Sequence, residues 1–243
     1  MTEKFVLITG GARRIGAATS RYLHEKGFNI ILHYNNSKAE AESIKEELNK
    51  IRKNSCSTIK ENFNSDTSIN ELIAKVNKIT KTLDVLVNNA STFYPTPIDK
   101  ASLVEWRDLT NTNVTTPLFL TQALFLHLKE AKGCVINISD TLVKNGIKDY
   151  SLYSGAKSAL EGITKSLAKE LAPEVRVNGI APGAILWPDD KELSDEEKES
   201  ILEKVAIGRT GKPEDIASTI FFLTQSKYIT GQIINVDGGR FSC

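Results

Sequence analysis

The chain has 243 residues, room for one large domain or two small ones at roughly 150 residues each. Lys plus Arg total 31 against 30 Asp plus Glu, and a formal net charge of +1 carries no basic excess that would point to a nucleic-acid backbone. With 40% hydrophobic and 25% charged residues the composition is that of a globular protein, one that buries roughly 70–75% of its unfolded surface at this size.

The three cysteines, Cys56, Cys134 and Cys243, are odd in number and far apart, which reads as reduced thiols in a cytosol. Neither a basic leader followed by an apolar run nor a stretch of about 18 apolar residues occurs, so a cytoplasmic protein without membrane or nucleic-acid partners is expected. His24, His33 and His127 lack any paired spacing, and no metal is expected.

Short β-branched and apolar runs predict strands at Phe5–Thr9, Asn29–His33, Leu83–Val87, Cys134–Ile138, Val175–Ile180 and Gln232–Val236, with a weaker one at Ser57–Lys60. Helical periodicity fills the gaps at Ile15–Lys26, Lys38–Lys53, Ser68–Lys81, Leu103 through Lys129, Ser151–Leu171 and Pro213–Thr224. This alternation predicts an α/β fold: a doubly wound, Rossmann-like parallel sheet of about seven strands with helices on both faces, in one domain spanning 1–243. Asp189–Ser200 interrupts the rhythm as a polar insertion, with Ser194 and Glu197 in capping-box spacing. It reads equally as a solvated surface helix or as part of a substrate-side flap around 184–206.

After the first strand, Thr9-Gly10-Gly11-Ala12-Arg13-Arg14-Ile15-Gly16 leads directly into a helix. Glycines let the backbone approach a ligand, and the start of a helix favours an anion, so a dinucleotide pyrophosphate is expected there. Two arginines at such a place oppose the helix dipole but offer donors to phosphate. At the end of the second strand, where an acid would bind the ribose of NAD, stands His33-Tyr34-Asn35-Asn36-Ser37. Nothing acidic there repels a 2′-phosphate, and Arg13, Asn36 and Ser37 are placed to contact one, so NADP(H) is the expected cofactor; Asn36 and Ser37 equally form a simple turn.

Tyr153 and Lys157 lie four apart at the start of a long helical segment and share a face. The spacing predicts an ammonium that favours the phenolate and lowers the tyrosine pKa from its usual value of about 10. With the cofactor turn, Asn88-Asn89-Ala90 at a strand end, Asn113 ahead of a helix, and Val236-Asp237-Gly238-Gly239 near the C-terminus, the whole chain resembles the short-chain dehydrogenase/reductase family. That resemblance implies Tyr153 as acid/base, Lys157 on the nicotinamide ribose, Asn113 supporting a proton-relay water, and a homotetramer. It further implies that Gly10, Arg13, Arg14, Ile15, Asn89, Ala90, Ser91, Pro182 and Gly183 line the cofactor together with the His33–Ser37 segment.

Three departures from the family's general pattern fall together. Arg14 replaces a glycine, Ser91 follows Asn-Asn-Ala, and Asn137-Ile138-Ser139-Asp140 puts an aspartate at the catalytic serine position, 153 − 140 = 13 residues before the tyrosine. Successive side chains at a strand end point to opposite sides, so Asp140 rather than Ser139 is the active-site choice. An ionised carboxylate would repel the alkoxide of a ketone reduction, whereas a carboxyl suits an electron-poor C=N bond whose nitrogen needs a proton. These departures, with Ser91-Thr92-Phe93-Tyr94-Pro95-Thr96-Pro97 and Ala181-Pro182-Gly183-Ala184-Ile185-Leu186-Trp187-Pro188, resemble the pteridine reductases.

That closer resemblance implies NADPH-dependent reduction of a dihydropteridine, or of dihydrofolate. Phe93 would stack the pterin, Ser91 would position cofactor and substrate, Arg14 would span phosphate and pterin, Asp140 and Tyr153 would deliver the proton, and Leu186 and Trp187 would line the substrate side. Some pteridine reductases carry an arginine where Asn36 stands. The alternatives are a 3-oxoacyl thioester or other carbonyl reductase of the same family, and an NADP(H)-sensing protein without turnover.

Overall fold

The computed structural model describes residues 3–63, 67–187 and 194–241. Seven strands, β1 (Lys4–Ile8), β2 (Phe28–Tyr34), β3 (Cys56–Lys60), β4 (Val85–Asn88), β5 (Cys134–Ile138), β6 (Arg176–Pro182) and β7 (Ile233–Val236), form one parallel sheet in the order β3-β2-β1-β4-β5-β6-β7. The alternation of side chains along each strand feeds two separate cores. Val6 and Ile8, Ile30 and Leu32, Val85 and Val87, and Ile136 face one; Leu7, Ile31, Leu86 and Val135 face the other.

Helices α1 (Arg14–Glu25), α2 (Lys38–Ile51) and α9 (Pro213–Gln225) cover the first face through Leu23, Ile44, Leu48, Ile216 and Ile220. The opposite face is covered by α3 (Ser68–Val76), α5 (Thr116–Ala123), α6 (Phe125–Ala131) and α7 (Ser151–Glu170), with Leu72, Val76, Leu120, Leu128 and Leu167 buried against the sheet. Every strand run read from the sequence lies in this sheet, the weak one included.

The helical stretch from Leu103 to Lys129 is not continuous. It divides into α4 (Leu103–Thr110), a π-helical turn at Asn111–Thr115, then α5 and α6. Pro117 has no N–H and cannot bond the Asn113 carbonyl four residues back, and Thr116 N–H instead reaches Asn111 O, five back. The expected Ser68–Lys81 helix stops at Val76. Ser194 and Glu197 form the capping box read from their spacing and start α8 (Asp195–Leu202), a helix that buries no residue. The Asp189–Leu193 part of that insertion lies outside the described residues.

The chain starts the sheet at β1, winds outward to β3, then returns past β1 to β4. At this switch point the connections leaving β1 and β4 run to opposite sides, which opens a crevice at the carboxyl ends of the strands. The residues singled out in the sequence gather there.

Candidate active site

The turn after β1 is pinned across the crevice. Thr9 Oγ1 accepts from the backbone N–H groups of Asn89 (2.9 Å) and Ala90 (3.0 Å), while Asn89 Nδ2 donates back to Thr9 O (2.9 Å) and Gly10 O (3.0 Å). Gly10 takes φ +60, and a Cβ on Gly16 would fall 2.1 Å from Gly10 O. No side chain fits at Gly16, so the backbone of the turn closes directly on the start of α1, a 12-residue helix with no acid in its first turn. With Arg13 and Arg14 beside it, this cradle fits the pyrophosphate of a dinucleotide.

Arg14 stands where the family carries a glycine, and it keeps the glycine-like conformation, φ +50. Its guanidinium donates to Trp187 O (3.2 Å) and Leu186 O (3.3 Å), 172 to 173 residues away. It thereby joins the phosphate turn to the segment that follows β6. Behind that segment, Gly183 N–H bonds Val236 O (3.0 Å), and a Cβ on Gly183 would meet Asp237 Cα at 2.6 Å. Pro182 O accepts from Thr141 Oγ1 (3.0 Å), and Ile15 packs half-buried on the core.

The His33–Ser37 segment divides into two parts. Asn35 and Asn36 are exposed and Ser37 is half-buried, whereas His33 and Tyr34 are buried at 2% and 6% exposure. Tyr34 belongs to the core, and both ring nitrogens of His33 are taken up by backbone groups. No acid stands at the end of β2; the Glu61 carboxylate next to it, beyond β3, is paired with Lys75 Nζ at 2.7 Å.

Asp140 lies two residues past the end of β5 and is half-buried. Its Oδ1 accepts from Leu142 N–H and its Oδ2 from the Tyr153 hydroxyl, each at 2.8 Å. Ser139 points the other way and donates to Glu161 Oε1 (2.8 Å), as strand alternation predicts. Burial raises the Asp140 carboxyl above the usual range, against the Leu142 amide, the Tyr153 hydroxyl and the charges of Lys157 and Arg240.

The tyrosine itself departs from expectation. Burial, then the charge and hydrogen bond of Asp140, push the Tyr153 phenol well above 10, with only a Ser91 hydrogen bond acting downward. Lys157 does not produce the lowered value its spacing predicts. Its Nζ stands 5.9 Å from the Tyr153 ring centroid and spends a hydrogen bond on Ile138 O (2.8 Å). Burial lowers this lysine to about 8, opposed by Asp140.

Asn113 sits in the π-helical turn, and its side chain is fully used. Oδ1 accepts from Ser91 Oγ (2.7 Å), while Nδ2 donates to Thr92 O and Leu109 O (both 2.9 Å). The side chain therefore braces the Ser91–Pro97 loop. Tyr94 OH to Asp108 Oδ2 (2.9 Å) and Thr96 N–H to Asp149 O (2.5 Å) complete the bracing. Phe93 at the loop's tip is half-exposed, stacks on Tyr150 (4.6 Å, 17°) and meets Tyr153 edge-on (4.7 Å, 79°).

Sequence reasoning missed Tyr150, Asp108 and Asp149. Tyr150 had a signal, its place three residues before Tyr153 at the N-cap of α7; the other two act only through the folded loop. Among the described residues no group of three or more His, Cys, Asp or Glu side chains could hold a metal ion, and no helix is long and apolar enough to cross a membrane.

The family described as enoyl-(acyl carrier protein) reductase matches residues 10–240. The chain belongs to the short-chain dehydrogenase/reductase family. It is 33% identical to pteridine reductase 1 of Leishmania tarentolae, over 98% of this chain and 96% of the relative. It is also 35% identical to 3-oxoacyl-(acyl-carrier-protein) reductase FabG of Staphylococcus aureus, over 98% of each chain, and 35% identical to that of Aquifex aeolicus, over 98% and 97%. This short-chain reductase is an oxidoreductase of the type that uses NAD(P)H, and overall identity does not separate the two named activities.

Proposed function

We propose that this reductase uses NADPH to reduce the C=N bond of a dihydropteridine, dihydrofolate included, to the tetrahydro form. The observation that carries the reading is the Asp140–Tyr153 pair: a carboxyl stands where a carbonyl reductase of the family places a serine, and its Oδ2 holds the phenol at 2.8 Å. The 33% identity to a pteridine reductase supports it.

When bound, NADPH would supply the hydride that the substrate carbon takes up. The nitrogen of the former C=N bond then takes a proton, and this chain's residues hold that proton. Burial raises both the Asp140 carboxyl and the Tyr153 phenol, which favours the acid form of each, and the proton for the nitrogen is drawn from this hydrogen-bonded pair. With Asp140 ionised, the same hydrogen bond would hold back the phenol proton. Lys157 orients the nicotinamide ribose, and the half-exposed Phe93 ring offers an aromatic face to a flat heterocycle. Ser91, Arg14, Leu186 and Trp187 complete the substrate side.

The 2′-phosphate is accepted by Arg13, Asn36 and Ser37, supported by the lack of an acid at the end of β2. The enzyme works as one cofactor-binding domain in a cytoplasmic homotetramer. Exposed Leu103 and Val104 on α4, Phe119 on α5 and Phe222 on α9 support the assembly, and the unpaired buried thiols of Cys56 and Cys134 support the compartment.

A second reading, 3-oxoacyl thioester reduction, is favoured by the 35% identity to FabG. The test follows NADPH oxidation with dihydrobiopterin, dihydromonapterin, dihydrofolate and an acetoacetyl thioester, each repeated with Asp140→Ser. Pterin turnover that collapses in the variant is the expected result. Thioester turnover alone would overturn the pterin reading, and NADPH binding without turnover on any substrate would leave a cofactor sensor.

A further inference from the structure

The imidazole of His33 is buried beneath the phosphate turn, between three segments. Gly10 N–H donates to its Nδ1 (3.2 Å), its Nε2 faces Glu61 O (3.2 Å), and its ring stacks on Phe63 (4.4 Å, 27°). A carbonyl oxygen cannot donate and Nδ1 is already accepting, so the proton must sit on Nε2. We infer that His33 is a positioning residue for the cofactor turn: its neutral Nε2–H tautomer ties Gly10 to the end of β3 without touching the cofactor itself.

The far end of this tie is itself held. Glu61 N–H bonds Tyr34 O (3.1 Å), and Lys75 on α3 bonds the Glu61 carboxylate (2.7 Å) and Lys60 O (2.9 Å). Rigidity therefore runs from α3 and β3 through the imidazole to the one residue of the turn that must hold φ +60. The charged groups facing the ring are Glu61 and Lys75, and burial, with the Lys75 charge acting the same way, outweighs the Glu61 carbonyl hydrogen bond and the Glu61 charge to lower His33 to about 4. A protonated ring would turn an N–H toward the Gly10 N–H and break the tie. At neutral pH the ring accepts, and the backbone around Gly10 is set before cofactor arrives.

The inference rests on the cofactor reading above, and the experiment separates the two. NADPH affinity is measured by fluorescence titration at neutral pH for wild type, His33→Leu, His33→Asn and His33→Gln, with kcat and both KM values. His33→Leu removes both hydrogen bonds and is expected to weaken NADPH about tenfold, the worth of roughly 1.4 kcal/mol, with kcat and the pterin KM within about twofold of wild type. His33→Asn places an acceptor where Nδ1 stands and is expected to recover most of the affinity; His33→Gln, which reaches only Glu61, is not.

If wild type binds NADPH and His33→Leu binds it equally well, or if the Asn and Leu variants are equally weak, the positioning role is overturned while the cofactor reading stands. Wild type that binds no NADPH overturns both. A measurement free of variants is the 15N NMR spectrum of the wild-type ring at neutral pH. Protonated Nε2 with bare Nδ1 supports the tie, and the opposite tautomer or a charged ring overturns it.

Discussion

The Tyr153 hydroxyl and Asp140 Oδ2 meet at 2.8 Å, thirteen residues apart in sequence and joined where the start of α7 crosses the end of β5. Lys157, one turn further along α7, reaches past the phenol to the Ile138 carbonyl, and the phenol is raised first by burial and then by the charge and hydrogen bond of Asp140. Burial and the carboxyl together hold the phenol in its neutral form.

Turnover should fall as pH rises. On the proposed role Asp140 gives its proton from the acid form, and burial raises its pKa, so the wild-type kcat is expected to be highest on the acid side and to decline as the carboxyl ionises. A second decline belongs to Lys157, whose ammonium loses its charge near 8. Asp140→Asn should lower kcat, remove the first decline and keep the second. Identical profiles for wild type and variant in stopped-flow measurements would take Asp140 out of proton delivery.

Arg14 combines a left-handed backbone with a long-range tether, and two substitutions separate these. Arg14→Ala keeps φ +50 and loses the bonds to Leu186 and Trp187; Arg14→Gly loses the bonds and relieves the backbone. The glycine variant should be the more stable of the two by about 1 kcal/mol in urea unfolding. Both should raise the pterin KM several-fold, because the carbonyls of the substrate-side segment are released. Equal KM values in wild type and both variants would mean that the tether does not shape the site.

Acid should destabilise the fold partly through His33. The folded-state pKa is about 4 against 6.5 when unfolded, so between these values the unfolded chain binds a proton that the folded chain does not. Stability is then unaffected by this group above 6.5 and falls by about 1.4 kcal/mol per pH unit between 6.5 and about 4, below which this contribution levels off. His24 and His127 are also lowered by burial and act in the same direction. Unfolding free energies at descending pH should therefore fall more steeply for wild type than for His33→Gln; parallel curves would show that His33 titrates normally.

The sequence by itself determined the layout. Apolar residues at a period of two on both faces of each strand, helical repeats between them and glycines at the first turn follow from backbone sterics within a few residues, and so they are legible in a single chain. The same local geometry distinguished Asp140 from Ser139 and predicted the Ser194–Glu197 capping box. Pro117 also carried its signal, although the π-helical turn needed the packed context of Asn113, Ser91 and Thr92.

Only the tertiary structure decided how the site is charged and braced. The sign of the Tyr153 shift, the neutral ring of His33 and the reach of Arg14 to Trp187 depend on burial and on partners 13, 23 and 173 residues away. Desolvation grows with what the rest of the chain places around a group, and a hydrogen bond goes to whichever partner lies nearest in space. Spacing puts Tyr153 and Lys157 on one helix face, but the fold buries the phenol and sets a carboxyl against it, and both raise its pKa.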